Sequence, residues 1–284
     1  MAHNGGIVRL REAMPSIKPS EHKAANYILE HPEEVVQLSV KGLAERSGSS
    51  QAAIIRMCKT IGLDGFQELK VRIAGDLQMM ESRKSMYQEI RPDDDVGTLI
   101  HNISENNMFS IKETLHILNE ADVEKAVKEI YHAKRIEFYG AAASQIIAQD
   151  AQQKFIRINR QCSAFSDTHL QLTSAVTLTN EDVAFAISYS GETRHILDAI
   201  QYAKDAGATT ISLTRYGTNP LSSLVDIPLY ASSSESEIRS SATSSRIAQL
   251  NVIDILFTAV ASMDYDESVD YFDRTRAAIQ KAFR

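Results

Sequence analysis

The stretch "VAFAISYSGETRHILDAIQYAKDAG", residues 183–207, decides the fold. Five apolar residues without alternation, Val183 to Ile187, read as a strand buried on both faces. Ser188, Tyr189, Ser190, Gly191, Glu192 and Thr193 then form a polar turn around one glycine. From Thr193 the pattern changes to helix, ending at Gly207. A buried strand, a hydroxyl-rich turn and an amphipathic helix make one unit of a parallel α/β sheet. Ligands of such sheets bind beyond the carboxyl ends of the strands, against helix N-termini.

Working outward, the same alternation recurs. "RIEFYG" (135–140) reads as a strand and "ASQIIAQDAQQKFIRI" (143–158) as a helix, with "TTISLT" (209–214) and "DIPLY" (226–230) as further strands. The late apolar stretch "VIDILFTAVASM" (252–263) contains Asp254 and reads as a buried helix, not a membrane span. Residues 1–77 differ in kind. They read as helical throughout, with a helix starting at Pro19-Ser20-Glu21 and stopping at His31-Pro32, followed by "SVKGLAERSG", "SSQAAIIRMCKTIG" and "GFQELKVRIAGDL". Between the two parts, residues 78–122 are polar and acidic around Pro92 and Asp93 to Asp95, then amphipathic. The expected organisation is an all-α domain over 1–77, linker and helices over 78–122, an α/β domain over 123–266 with a parallel, doubly wound sheet of flavodoxin-like order, and a C-terminal helix over 267–284.

The net charge of −7 does not suggest a nucleic-acid binder, but it is unevenly spread. Residues 1–77 carry ten Lys+Arg against nine Asp+Glu, and residues 78–284 twenty against twenty-eight. Cys58 and Cys162 are far apart and in no C-x-x-C pair, so neither a disulfide framework nor a zinc site is expected, and no cofactor. The N-terminus lacks the basic-then-apolar run of a signal peptide, so a cytoplasmic protein without membrane attachment is expected.

"VKGLAERSGSSQAAIIRMCKT" (40–60) has helix-turn-helix spacing. Counting Val40 as first, Ala44 is fifth, where the helices cross closely, and Gly48 ninth, where the turn asks for positive φ. Ile54, Met57 and Ile61 form the inward stripe of the second helix. Ser50, Gln51, Ala52, Arg56 and Lys59 face outward and are the candidates for DNA contact, Gln51 for adenine and Arg56 and Lys59 for base edges or phosphates. A helical hairpin inside an ordinary helical domain is the alternative.

In the α/β part, the hydroxyls of Ser188, Ser190 and Thr193 and the backbone freed by Gly191 suit an anion, helped by the helix dipole. No P-loop lysine accompanies them. "FYGAAASQ" (138–145) repeats the logic through Gly140 and Ser144 and lacks a dinucleotide fingerprint. Ordinary helix capping by these hydroxyls is the alternative.

"GAAAS" with "ISYSGET" resembles the sugar isomerase (SIS) domain, a phosphosugar-binding α/β fold. "IIRMCKTIGLDGFQELK" (54–70) resembles the N-terminal helix-turn-helix of RpiR-family bacterial transcriptional regulators. "QDAQQKFIRI", "DTHL" and "IRSSATSSRIAQL" look closest to MurR/YbbH-type members, which are associated with N-acetylmuramic acid 6-phosphate. The resemblance implies a regulator, most simply a repressor, that binds a double-stranded operator and a phosphosugar as a homodimer or homotetramer. It maps phosphosugar contact onto Ser144, Ser188, Ser190, Gly191 and Thr193. Glu235 falls where sugar isomerases of this fold often carry a catalytic glutamate; in a regulator it would meet sugar hydroxyls or cap a helix. Arg239 and Arg246 share that segment. Where the family often has G-x-G-x-S, this chain has Ala142 in place of the second glycine. The alternative is a phosphosugar isomerase or etherase, for which His169 and His195 are the available bases. No catalytic constellation or metal-spaced cluster accompanies them, so an enzyme is not expected.

Overall fold

A computed structural model of the chain describes residues 5–80, 95–232 and 242–282. Two compact units emerge, one of residues 1–117 with 216–218, the other of residues 118–215 and 219–284.

The first unit is helical: α1 (Gly6–Ala13), α2 (Pro19–Glu30), α3 (Pro32–Val35), α4 (Val40–Ser47), α5 (Gln51–Thr60), α6 (Phe66–Met80) and α7 (Val96–Ile117). Pro19 opens α2, where its missing N–H costs nothing, and the Glu21 carboxylate accepts from the Lys18 N–H at 3.3 Å. Pro32 ends that helix and starts the next, as expected. Leu10, Ile28, Leu43, Ile54, Met57, Ile61, Leu69 and Ile73 are fully enclosed and form the core. The start of α1 is fixed from α6, where the Asp76 carboxylate accepts from the N–H groups of Gly5 (2.6 Å) and Ile7 (2.7 Å). The acidic linker around Pro92 falls largely outside the described residues; Asp95 accepts from the Thr98 N–H and starts α7.

The second unit alternates. Its elements are α8 (Glu120–His132), β1 (Ile136–Gly140), α9 (Ala143–Ile156), β2 (Cys162–Ser163), α10 (Thr168–Ala175), β3 (Val183–Ile187), α11 (Arg194–Asp205), β4 (Thr209–Arg215), α12 (Pro220–Leu224), β5 (Ile227–Ala231), α13 (Thr243–Met263) and α14 (Tyr265–Ala282). All strand pairs are parallel, in the order β2-β1-β3-β4-β5. That is the doubly wound flavodoxin-like order read from the sequence. Every residue of β1 and β3 is buried, because helices cover both faces. Ile136, Phe138, Phe185, Ile187, Leu213 and Leu229 pack under α8, α9 and α13. Phe138 lies 5.7 Å from Phe155 and 5.6 Å from Phe185, centroid to centroid, geometry that adds about 0.5–1.5 kcal/mol per pair beyond burial. Tyr139, Ala184 and Ala186 face the other way, against Ala199, Ile200 and Ala203 of α11.

Two differences from the sequence reading stand out. Strand β2 has only two residues and no β-branched or aromatic run, so it carries no local signal. Helix α13 is long and apolar enough to cross a membrane by length and composition, yet only a third of its most apolar window is buried. It is a one-faced core helix: Ala248, Val252, Ile253, Leu256 and Val260 are enclosed while Asp254 and Thr258 are exposed.

Candidate functional site

Each unit carries its own candidate surface. In the first, Ser39 caps α4 by accepting from Gly42 N–H, and Ser50 caps α5 by accepting from Ala53 N–H, both at 3.1 Å. Gly48 takes φ 64° between them and Ala44 is buried at the crossing, as the spacing requires. Ala53, Ile54, Met57 and Cys58 turn inward. Burial pushes the Cys58 thiol up to about 12, which leaves it an inert apolar group. Ser50, Gln51, Ala52, Arg56 and Lys59 are all exposed. At 100° per residue the four on α5 span less than half of its circumference, so they share one solvent face. One of them has a second partner that the sequence did not reveal. Arg56 Nε lies 3.5 Å from the carboxylate of Glu21, which is buried. Half of the Arg56 side chain remains in solvent, so it braces α2 while still presenting charge outward.

In the second unit the strand order reverses between β1 and β3, and their carboxyl ends lie side by side, Gly140 opposite Ile187. The two hydroxyl-bearing loops therefore flank the topological switch point, where open α/β sheets bind ligands. After β3, Gly191 takes φ 70°, and a Cβ there would stand 2.0 Å from Asn219 Oδ1. The glycine is required twice, by its conformation and by the side chain laid across it. Gly191 N–H donates to Ser188 O and Leu221 N–H to Gly191 O, each at 3.0 Å, which ties the turn to α12. Ser188 is buried, its hydroxyl 3.1 Å from that of Thr193; Glu192 N–H donates to Ser190 Oγ at 3.3 Å. Thr193 is the N-cap residue of α11, yet its side chain makes no capping hydrogen bond. Helix capping therefore does not account for the Thr193 hydroxyl.

After β1, a Cβ on Gly140 would stand 2.6 Å from Ser144 O, so only glycine lets the first turn of α9 sit on the strand end. Ala142 is the N-cap of α9, and its methyl side chain has nothing with which to cap the helix. Its φ of 48° and ψ of −118° lie where glycine belongs, so the departure noted in the sequence is paid in backbone strain. Ser144, half-buried, follows within the first turn. Thus Ser188, Ser190, Gly191 and Thr193 share one turn, and Ser144 opens the helix that follows the neighbouring strand. Glu235 and Arg239 lie outside the described residues; Arg246 is half-buried near the start of α13. His169 is exposed in α10 and His195 half-buried in α11. Among the described residues no His, Cys, Asp and Glu cluster could hold a metal.

Three residues of this region escaped sequence reasoning. Gln171 of α10 is buried, and its amide nitrogen reaches Gly140 O (2.9 Å), Phe165 O (2.7 Å) and Gln145 Oε1 (3.2 Å), holding the first loop from below. Asn219 caps α12 by accepting from Ser222 N–H while its amide donates to Thr214 Oγ1 at 3.1 Å. Arg215 ends β4, its N–H donating to Tyr189 O at 2.8 Å. Only the Asn219-Pro220 start signal of α12 was visible locally; the other contacts join residues distant in sequence.

Comparison with known proteins agrees with both halves. The helix-turn-helix domain of the rpiR family matches residues 4–80 and the SIS domain matches residues 129–259. An HTH-type transcriptional regulator of Caldanaerobacter subterraneus is 50% identical over 266 residues, covering 94% of each chain. The HTH-type transcriptional regulator YbbH of Bacillus subtilis is 42% identical, covering 97% of each. Among solved structures, the Vibrio vulnificus NanR protein complexed with ManNAc-6P superposes with a TM-score of 0.63 at 26% identity, covering 98% of each chain. With its helix-turn-helix unit, its five-stranded parallel α/β unit and relatives of this closeness, the chain belongs to the RpiR family of helix-turn-helix transcriptional regulators that carry a SIS domain.

Proposed function

We propose that the protein binds an operator through the exposed face of α5 and senses a sugar phosphate at the β1/β3 switch point, acting as a repressor that the effector releases. The observation that carries the reading is the polar turn at 188–193: three hydroxyls gathered at a helix N-terminus whose N-cap Thr193 does not cap it, beside the Gly140–Ser144 loop at the neighbouring strand end. Backbone N–H groups and hydroxyls suit a phosphate monoester without a lysine. N-acetylmuramic acid 6-phosphate is the favoured effector, on the resemblance of the chain to MurR/YbbH-type regulators. Ser144 contributes from the α9 side; Glu235, outside the described residues, either meets the sugar hydroxyls or caps the following helix. The likeness to NanR, complexed with a different amino-sugar phosphate, supports the ligand class.

The protein works in the cytoplasm as a homodimer or homotetramer, with two copies of α5 set about 34 Å apart to meet successive major grooves. For the effector to release DNA it must favour one arrangement over the other by about 1–3 kcal/mol. The test is a thermal-shift screen of phosphorylated sugars, followed by promoter-fragment binding with and without each hit. Ser188→Ala should abolish the sugar-phosphate response and leave operator binding intact. A response that survives the substitution places the pocket elsewhere. Catalytic turnover of a hit would replace this reading by the isomerase or etherase alternative.

A further inference from the structure

The turn itself contains no lysine or arginine; the fold brings Arg215 to it. Arg215 is the last residue of β4, next to β3 in the sheet, and its backbone N–H is bonded to Tyr189 inside the turn. Its side chain is about three-quarters buried, 26% exposed. Three other arginines of this unit use their guanidinium donors: Arg135 donates to Thr177 O, Arg160 to Tyr131 O, and Arg194 to Asp198. Arg215 makes no side-chain hydrogen bond among the described residues. Its partner is a long ion pair, 3.8 Å from Glu192 Oε1, and Glu192 is a residue of the turn whose side chain is 61% exposed. A guanidinium fork matches a carboxylate or phosphate through paired N–H donors, and at 3.8 Å that capacity is unspent. The group standing opposite it is a carboxylate on a mobile-length, solvent-facing side chain, held by a contact of little worth at such exposure.

We infer that Arg215 reads a carboxylate on the sugar-phosphate effector, and that Glu192 occupies its place until the effector arrives. The inference rests on the effector site proposed above. The turn at 188–193 supplies the donors for the phosphate, so Arg215 is left for a second anionic group. An incoming sugar acid replaces Glu192 like for like, exchanging a loose ion pair for a bidentate one, and the freed Glu192 turns into water. Specificity for an acidic over a neutral sugar phosphate then comes from one residue, since an uncharged substituent would leave Glu192 in place.

The test measures affinities of the full-length protein by calorimetry for N-acetylmuramic acid 6-phosphate and for N-acetylglucosamine 6-phosphate, which lacks the carboxylate. The wild type should prefer the acid. Arg215→Gln should cut that preference about tenfold or more, the worth of a charge-assisted bond. Glu192→Gln should strengthen binding of the acid several-fold by removing its competitor, and this second variant decides the matter if Arg215→Gln fails to fold. Equal affinities in the wild type, an unchanged preference in Arg215→Gln, or unchanged binding of the acid in Glu192→Gln would each overturn the inference. Binding of neither compound, nor of other sugar phosphates, by the wild type would instead overturn the proposed function.

Discussion

Ala142 gives the sharpest quantitative test of the site geometry. It sits at φ 48°, ψ −118°, a conformation in which an L-residue crowds its own backbone, at about 1–3 kcal/mol. Its methyl group is exposed, so replacing it by hydrogen loses no buried contact. Against the relief stands the greater freedom of glycine in the unfolded chain, about 0.4–1 kcal/mol. Ala142→Gly should therefore stabilise the C-terminal unit, by about 1.3 kcal/mol at the middle of those ranges. At about 2–4 °C per kcal/mol for a unit of this size, its melting temperature should rise by about 3–5 °C. Scanning calorimetry reads this directly, and the relevant transition is the one that a bound sugar phosphate moves upward. Removing the methyl also opens the backbone beside Ser144 to the phosphate, so affinity should rise or hold. A variant destabilised by more than about 0.5 kcal/mol would refute the reasoning, because it could arise only if Ala142 were unstrained.

Glu137 and the recognition helix give further tests. Glu137 is buried in β1, its Oε2 without a partner among the described residues, and burial raises its pKa more than Arg135 lowers it. A carboxyl raised in the fold stabilises fully below its unfolded value of about 4.3, and that contribution is lost as pH rises through the higher folded value. Glu137→Gln should thus gain on the wild type as pH rises from about 4 to 7 in paired thermal melts; a gap independent of pH would count against it. Lys59→Ala should weaken operator binding and lower its salt-dependence slope by about 1 with melting unchanged. Arg56→Ala should weaken operator binding and also destabilise by about 1–3 kcal/mol, because buried Glu21 loses its ion pair; equal melting of the two variants would remove the bracing role.

The helix-turn-helix was legible because its determinants are local: the small residue at Ala44, the positive φ of Gly48, the stripe of Ile54, Met57 and Ile61. The α/β unit was legible for a related reason. Fully buried parallel strands must be apolar throughout, and Val183–Ile187 announces itself as such. The hydroxyls of the polar turn were legible too, but not their availability. Whether Thr193 caps its helix depends on a side-chain torsion, which composition does not encode.

The chain's residue order by itself determined two domain types, the outward face of α5 and the turn at 188–193, since each follows from spacing within a few residues. Tertiary structure alone decided that β1 and β3 meet at the switch point, that Gly191 lies under Asn219, that Gln171 supports Gly140, and that Arg56 leans on Glu21. It also delivered Arg215 to a turn more than twenty residues before it. The physical reason is common to all five. Hydrogen bonds and ion pairs act over a few ångströms of space with no regard to separation along the chain, so which charges and amides meet is fixed only when the helices of one unit and the strands of the other have packed.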